Sequence, residues 1–553
     1  MILSCGGSNF KTAGKKVVIL GIDGMDPNLL QLFMDQGVLP TFAKFAAEGT
    51  FTPLTTSQPP QSPVAWSNFI TGMDPGGHGI FDFIHRHPQN RVPYLSTSGT
   101  EPASNILKIG KYQIPMKGGK ALQMREGKSF WEILEEHGIP AVVWKIPANF
   151  PPVESKQKTF SGMGAPDILG TYGIFTFFTD DSALYQDDVA GGQITMVDIE
   201  NGVIHTQIKG PTNSLVKGEP PSYADFTIYI DPVEDNIRIE MGDEDILLRP
   251  GEWSGWAEVK FNFIKGFASA SGIVKFHLRS VRPHFELYCS PVNLSPEKPA
   301  MPLSTPPSYS KEMYEKIGNF YTLGIPEDTK ALSAGYLGYD EFLQQSHLVL
   351  EERLREFQQT WADFEDGLYF FYFSSLDQNS HALWSTFDRE SPIYDSEIDH
   401  KYGWELRDFY RQMDDVLAQV MERLSPEDLL IVMSDHGFSP FRRCFDLNTW
   451  LLDNGYITLK DTTTRDQEFF PGVDWRKTKA YGLGLNGLYL NLRGRENNGL
   501  VRPGSEAEAL KDELVQKLTS VIDPQTGQQV ISSVWQREDV YHGPYVEKAP
   551  DLV

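Results

Sequence analysis

VVILGIDGM, residues 17–25, is the stretch of sequence that decides the fold. Its first six residues are apolar and mostly β-branched, which is typical of a parallel strand buried on both faces. Asp23 follows the strand directly, and the spacing of leucine and phenylalanine from Asp26 to Gly49 predicts helical structure after it. A buried strand, a short loop and a helix are the basic unit of an α/β protein.

Two later segments repeat the pattern of an apolar strand followed by polar side chains. The strand YFFYF precedes Asp377, and the strand LLIVM precedes Asp435 and His436. Ligands gather beyond the carboxyl ends of the strands in an open parallel sheet, so we expect these residues to converge with Asp23. His381 lies four residues after Asp377, which places both on one face if the segment is helical.

These oxygen and nitrogen side chains are a plausible ligand set for a divalent cation. Carboxylates with imidazoles suit Zn²⁺, and carboxylates with hydroxyls also accept Mn²⁺ or Mg²⁺. Each motif alone has an ordinary interpretation: Asp23 as a helix cap, and Asp377 with His381 as a surface pair. The hypothesis of a metal site therefore depends on the set as a whole.

Ser62 is the candidate nucleophile. Ser62-Pro63 is the pairing of N-cap and first residue that starts many helices, and Gly72 is a natural helix end. A helix N-terminus favours an oxyanion over a neutral hydroxyl, and its free amides can hold phosphate oxygens.

Composition restricts the function classes. The chain has 553 residues and a formal charge of −25, so a general nucleic-acid surface is not expected, because backbone phosphates would be repelled. Three cysteines are too few for a disulfide framework or a Cys-rich zinc site. No run approaches the ~20 apolar residues of a membrane span.

The period of the apolar residues changes between residues 191 and 299. Alternating segments separated by Gly, Pro, Asp and Asn predict an all-β insertion, which either flanks a site or is a structural appendage. Residues 16–190 and 300–553 are then a discontinuous α/β domain. The predicted fold is α/β, with a mostly parallel central sheet flanked by helices and this inserted β region.

Residues 1–15 are predicted to be a disordered leader. Ile2-Leu3-Ser4-Cys5 is similar to the cleavage box of a bacterial lipoprotein, but the four residues before Cys5 are too few for the apolar run of such a signal. Two interpretations stay open: a periplasmic or extracytoplasmic protein with a lipid anchor at Cys5, or a cytoplasmic protein with an accidental match.

Taken together, the motifs resemble the alkaline phosphatase superfamily, and most closely its type I phosphodiesterase/nucleotide pyrophosphatase branch. The matching elements are GIDGM (residues 21–25), the Ser62 helix with its following TGxxPxxHG, the Asp377/His381 pair, and SDHG (residues 434–437). The resemblance covers about residues 16–180 and 340–553. It does not extend to the β insertion.

The resemblance implies roles for these residues. One metal ion would be held by Asp377 and His381, and a second by Asp23, Asp435 and His436, with Ser62 also contacting the second ion. It implies hydrolysis of a small phosphate ester through a phosphoseryl intermediate on Ser62. The two metal ions are expected to be Zn²⁺, with Mn²⁺ or Mg²⁺ as alternatives.

Two features depart from the family pattern. Phosphodiesterase relatives have an Asn just beyond the His-Gly element, whereas this region reads Ile80-Phe81-Asp82-Phe83, so the choice between monoester and diester stays open. The first metal ion of the family also has a further His near the C-terminus. His542 is a candidate, but we expect the missing ligand to lie beyond Val553.

Other polar residues near these motifs have less specific interpretations. His78 and Asp82 are expected to fix the loop after the Ser62 helix, and Lys145 and Asn149 to have cap or surface roles rather than to reach substrate.

Three other functions are alternatives to phosphate-ester hydrolysis. A phosphotransferase or phosphomutase would use the same residues with an alcohol in place of water. A non-catalytic binding protein could retain the fold. A sulfatase is disfavoured, because SPVAW (residues 62–66) lacks the arginine of the sulfatase nucleophile motif.

Overall fold

The computed structural model describes residues 10–11, 13–460 and 470–553. The possible lipid-anchor residue Cys5 and most of the predicted leader lie outside the described residues. Of the leader, Lys11 donates its backbone N–H to Gly138 and Ala13 donates to the Asp366 carboxylate, so these residues contact the main body of the protein.

Twenty-five strands are present in the described part of the chain. They are β1 (Lys16–Ile22), β2 (Ile84–Arg86), β3 (Pro93–Leu95), β4 (Ser98–Glu101), β5 (Ser104–Ile109), β6 (Tyr112–Lys117), β7 (Lys120–Gln123), β8 (Ala141–Ile146), β9 (Lys158–Ser161), β10 (Phe175–Thr179), β11 (Gly192–Met196), β12 (Val203–Thr212), β13 (Pro221–Ile230), β14 (Ile237–Met241), β15 (Glu244–Leu248), β16 (Ala257–Ile264), β17 (Ala268–Val274), β18 (Phe276–Ser280), β19 (Glu286–Cys289), β20 (Asn293–Leu294), β21 (Ser304–Thr305), β22 (Gly367–Phe373), β23 (Leu429–Met433), β24 (Ala480–Leu483) and β25 (Gly487–Leu490).

The α-helices of the same residues number fourteen. They are α1 (Pro27–Asp35), α2 (Pro40–Glu48), α3 (Ser62–Thr71), α4 (Pro75–His78), α5 (Phe130–Glu136), α6 (Tyr309–Ile317), α7 (Thr329–Ser333), α8 (Tyr339–Asp363), α9 (Ser375–Phe387), α10 (Ser396–Tyr402), α11 (Glu405–Arg423), α12 (Leu447–Asp453), α13 (Ser505–Thr519) and α14 (Arg537–Val540). The helical segment predicted after Asp23 is split in two, and Pro40 begins its second half.

The central sheet has six strands in the order β21-β9-β8-β22-β1-β23. Its strand pairs are parallel except for β21 with β9. The three strands predicted to carry the site are therefore neighbours, with β1 between β22 and β23. A mostly parallel sheet in a mixed α/β fold is confirmed.

Helices cover both faces of this sheet. Successive side chains of a strand point to opposite faces, so neighbouring residues of β22 contact different helices. Trp66 of α3 packs edge-on against Phe370 and Tyr372 on one face. Phe357 of α8 packs against Phe371 on the other. The site-bearing edge of the sheet is thus held between two helical layers.

The predicted insertion is built of strands. It contains a four-stranded meander (β12-β13-β14-β15), a three-stranded sheet (β16-β17-β20) and the four-stranded sheet β11-β10-β19-β18. The last sheet includes β10, which precedes residue 191. Many apolar side chains of the insertion's strands belong to the same buried cluster as one face of the central sheet. A separate all-β domain with bounds at residues 191 and 299 stays a prediction.

A second apolar core lies in the C-terminal part of the chain. Residues of α12, α13, β24 and β25 form it, and Leu552 joins it through backbone hydrogen bonds to Leu488. In the described part of the chain, no helix is both long and apolar enough to cross a membrane.

Candidate active site

Asp23 begins the site at the carboxyl end of β1. Its backbone N–H donates to the Phe373 carbonyl at 3.0 Å, which continues the pairing of β1 with β22 to the ends of both strands. Gly24 follows with a φ of +67°, and a Cβ there would lie 2.9 Å from the Cα of Asp377. Only glycine permits this close approach of the loop after β1 to the first turn of α9 without strain.

Two buried donors fix the Asp23 carboxylate. Tyr372 donates its hydroxyl to Asp23 Oδ2 at 2.6 Å, and Trp66 donates its indole N–H to the same oxygen at 3.0 Å. Sequence reasoning missed both residues. Trp66 lies one helical turn after Ser62 and could have been placed on the same face, whereas nothing in the sequence separates Tyr372 from the other aromatic residues of its strand.

Ser62 lies beside Asp23. The structure begins α3 at Ser62 itself, with Gln61 as N-cap, so the predicted N-cap position was wrong by one residue. The Ser62 hydroxyl donates to Asp23 Oδ1 at 3.4 Å and lies 3.2 Å from His436 Nε2. The hydroxyl is thus buried at the first turn of a helix, where the peptide dipoles favour negative charge.

Asp377 and His381 share one face of α9, as their spacing predicts. His381 Nε2 lies 3.5 Å from Asp377 Oδ1, and Gln378 donates to Asp377 Oδ2 at 2.7 Å. Asp377 is buried, whereas the His381 side chain is 63% exposed and faces the opening of the site.

His436 occupies the centre of the cluster. Its Nε2 is 3.6 Å from Asp23 Oδ1, 3.7 Å from Asp377 Oδ1 and 3.5 Å from Asp435 Oδ2. Ser434, which sequence reasoning also missed, accepts the Met25 N–H and donates to the His436 carbonyl, so it joins the loops after β1 and β23.

Burial and mutual repulsion displace the pKa values of these groups. Burial and then the Asp23 charge raise the pKa of Asp377 well above its usual range, and the same causes raise the pKa of Asp435 to about 7. Burial opposes protonation of His436, but the carboxylates of Asp435, Asp23 and Asp377 raise its pKa to about 9. Although the His381 side chain is 63% exposed, partial desolvation and then repulsion from His436 lower its pKa.

The donor set fits a divalent cation. Asp23, Asp377 and His436 each offer one ligand atom within 4.8 Å of the other two. Asp377 Oδ1 and Asp435 Oδ2 are buried, and neither accepts a hydrogen bond from any described residue. Buried carboxylate oxygens without hydrogen bonds are costly unless a cation pairs with them.

The residues weighed as less specific candidates lie elsewhere. His542 Nδ1 lies 2.9 Å from Asp74 Oδ2, beyond the end of α3 opposite Ser62, and its side chain is 77% exposed. His78 is buried against Asn68, and burial lowers its pKa to about 3. Neither side chain joins the cluster around His436.

Three further candidates, Lys145, Asn149 and Asp82, are buried in the interior. Lys145 donates to Glu356 at 2.9 Å and to the Tyr321 carbonyl, and the Asn149 side chain accepts the Val153 N–H. Asp82 accepts the Leu485 N–H at 2.8 Å and a hydrogen bond from Gln61, the residue before Ser62. Asp82 therefore joins the start of α3 to the C-terminal part of the chain.

A cavity of about 520 Å³ opens directly onto the site. Ser62, Asp377, His381 and His436 are among its lining residues, and three further charged residues line it: Glu327, Asp328 and Lys330. Its larger apolar lining residues come from several parts of the chain: Phe83, Met163, Tyr172, Pro291, Leu323, Ile325, Phe438 and Leu485.

Fold and site together define an α/β protein with a buried serine beside a candidate metal centre at the carboxyl edge of its central sheet. Residues 17–188 and 283–553 match the family model described as type I phosphodiesterase/nucleotide pyrophosphatase. The chain belongs to this family, and hence to the alkaline phosphatase superfamily, whose phosphodiesterase branch hydrolyses phosphate esters. Searches of curated proteins and of solved structures gave no significant match.

Proposed function

We propose that this protein hydrolyses small phosphate esters through a phosphoseryl intermediate on Ser62, with two divalent metal ions held by the surrounding carboxylates and imidazoles. The main support is the position of the Ser62 hydroxyl, which lies at the first turn of α3, 3.4 Å from Asp23 Oδ1 and 3.2 Å from His436 Nε2.

The proposed ligands are the six residues that the resemblance implies. Asp377 and His381 would hold one ion, and Asp23, Asp435 and His436 the other, with Ser62 beside the second. The buried oxygens of Asp377 and Asp435 support this, since no described residue donates a hydrogen bond to either of them. When bound, such ions supply Lewis acidity that stabilises the attacking and leaving oxygens of an in-line displacement.

The chain's own groups account for the proton and the orientation of the nucleophile. Ser62 attacks phosphorus as its proton passes to Asp23 Oδ1 and the bond to the leaving oxygen breaks. The leaving oxygen takes up a proton from solvent, and Asp23 releases its proton to solvent. Trp66 and Tyr372 hold the other Asp23 oxygen and keep the carboxylate aimed at Ser62. Water then attacks the phosphoserine, which releases phosphate and restores the hydroxyl.

The proposal is tested by replacing Ser62 and a matched serine of the same helix. Ser62→Ala should reduce hydrolysis of aryl phosphate monoesters and diesters by at least about 10³-fold, because the nucleophile is lost. Ser67→Ala is the control: Ser67 is buried in α3, but its hydroxyl donates to the Pro63 carbonyl and does not reach the site. That variant should keep its activity.

Rates should be measured with Zn²⁺, Mn²⁺ and Mg²⁺ on monoesters, diesters and sulfates, and quenched reactions should be analysed for phosphate on Ser62. Equal activity of Ser62→Ala and the parent protein would overturn the mechanism. Transfer of the phosphoryl group to added alcohols at the expense of free phosphate would identify a phosphotransferase instead.

A further inference from the structure

A hairpin outside the active site exposes many aliphatic side chains. It is formed by β5 (Ser104–Ile109) and β6 (Tyr112–Lys117) and turns at Gly110, which has a φ of +61°. Every residue of β5 is exposed. Its large apolar side chains are largely in solvent: Ile106, Leu107, Ile109, Ile114 and Met116 are 43%, 50%, 55%, 42% and 72% exposed.

The hairpin is amphipathic. Directly paired residues share one face of a two-stranded ribbon, so the pairs Leu107↔Ile114 and Ile109↔Tyr112 form one apolar face. Lys108, paired with Gln113, lies on the opposite face. The same face carries Lys117, paired with Ser104, and the apolar pair Ile106↔Pro115. The ribbon thus has one apolar face and one mixed face that carries lysines.

The local charge is opposite to that of the whole protein. The chain carries a formal charge of −25, yet residues 102–125 contain five Lys or Arg and no Asp or Glu. Of these basic residues, Lys108, Lys111 and Lys117 belong to the hairpin. Lys117 also lies 3.2 Å from Glu101, an exposed pair that water weakens.

The hairpin is fixed to the strand-rich part of the chain rather than free. Gln113 donates its N–H to the Leu215 carbonyl at 2.8 Å, and Lys217 donates its N–H to the Lys111 carbonyl at 2.9 Å. The segment at 211–218 that makes these contacts contains Lys217 and no acidic residue. The aliphatic face is therefore presented in a set direction beside positive charge.

We propose that this hairpin is a binding surface for anionic lipid bilayers, with its aliphatic face among the acyl chains and its lysines at the phosphate headgroups. Ile, Leu and Met supply apolar area without hydrogen-bonding groups that a specific protein partner would read. Lysines beside such an area match the negative surface of anionic lipids. The inference does not depend on the catalytic proposal.

The test is flotation of the full chain, in a preparation that carries no attached lipid, with vesicles of phosphatidylcholine alone or mixed with phosphatidylglycerol. The parent protein should float with the mixed vesicles and much less with pure phosphatidylcholine, and added salt should weaken the binding.

Two variants separate the two contributions. Leu107→Ser with Met116→Ser should lower partition onto the mixed vesicles at any salt concentration. Lys108→Gln with Lys111→Gln and Lys117→Gln should lower it at least about tenfold and remove the preference for phosphatidylglycerol. Ile393→Ser with Lys311→Gln and Lys477→Gln is the control, because these exposed side chains lie outside the hairpin.

Unchanged melting temperatures would show that the variants are folded. Failure of the parent protein to float with either vesicle, or equal loss of binding in the control and hairpin variants, would overturn the proposal. Concentration-dependent self-association that Leu107→Ser with Met116→Ser abolishes, without flotation, would assign the face to contact between copies of this chain and would equally overturn it.

Discussion

Asp23 shows how single residues set the chemistry of this site. One of its oxygens accepts the Ser62 hydroxyl, and the other accepts Trp66 and Tyr372. A carboxylate held on both sides cannot rotate freely, so it presents a constant direction to the serine and to any cation beside it. Groups that orient a metal ligand in this way influence the affinity of the site although they never touch the ion.

Tyr372→Phe tests this orientation. Loss of the hydroxyl leaves Asp23 Oδ2 with the Trp66 indole alone, so Zn²⁺ affinity should fall by about 10- to 100-fold. One buried hydrogen bond is also lost, which should lower the free energy of unfolding by about 1–2 kcal/mol. Affinity is measured by competition with a chelator and stability by urea denaturation.

Tyr369→Phe is the matched control for this substitution. Tyr369 is a buried residue of the same strand, but its hydroxyl pairs with Thr360 at 2.8 Å, away from the site. It should lower stability by a similar amount and leave Zn²⁺ affinity unchanged. Equal affinities of the two variants would contradict the orienting role of Tyr372.

At the scale of elements, the contact between β1 and α3 decides where Ser62 lies. Gly21 of β1 lies under the Trp66 indole: a Cβ on Gly21 would lie 2.7 Å from Trp66 Cη2 and 2.9 Å from Phe370 Cζ. Because these rings are buried, they have little room to move. The absent side chain of Gly21 therefore allows the helix to sit close to the sheet.

Gly21→Ala should push α3 away from β1. Overpacking of this kind should lower the free energy of unfolding by about 1–3 kcal/mol. The displaced helix should also move Ser62 away from Asp23, which should lower the hydrolysis rate. Gly255→Ala is the control, because among the described residues, its two chain neighbours apart, no atom lies within 4 Å of a Cβ there. Denaturation and initial rates measure both effects, and a Gly21→Ala protein with parental rate and stability would contradict the close contact.

The same contact shows what the sequence could predict. The strands β1, β22 and β23 were predictable because they are apolar throughout, and their polar followers because ligands lie beyond strand ends. The contact of Tyr372 with Asp23 was not, since it depends on long-range register. The β5–β6 hairpin is local, and sequence reasoning missed its signal, the alternating residues on either side of Gly110. The family resemblance assigns Asp377 to one ion and Asp23 and His436 to the other. The structure brings one ligand atom of each within 4.8 Å of the other two, and the division between two ions stays a prediction.

At the scale of the whole molecule, a buried charge network joins the sheet to α8. Lys145 at the end of β8 donates to Glu356, which also accepts Arg353 and the Trp144 indole. Burial, followed by repulsion from Arg353, outweighs the attraction of Glu356 and lowers the pKa of Lys145 to about 7. Global stability should therefore depend on pH through this lysine.

The direction of the pH dependence is set by the protons that Lys145 binds in the folded and unfolded states. Between about pH 7 and 10.5 the unfolded chain keeps the Lys145 proton while the folded protein releases it, so the free energy of unfolding rises with pH. Relative to Lys145→Met, the stability of the parent should rise by at most about 1.4 kcal/mol per pH unit in this window. Urea denaturation of both proteins between pH 7 and 9.5 measures the slope.

Lys158→Met is the control, because the Lys158–Glu312 pair is partly exposed and its ammonium remains hydrated. If the free energy of unfolding of the parent, relative to that of Lys145→Met, stays constant or falls as pH rises, Lys145 remains charged in the folded protein, held by Glu356 despite its burial.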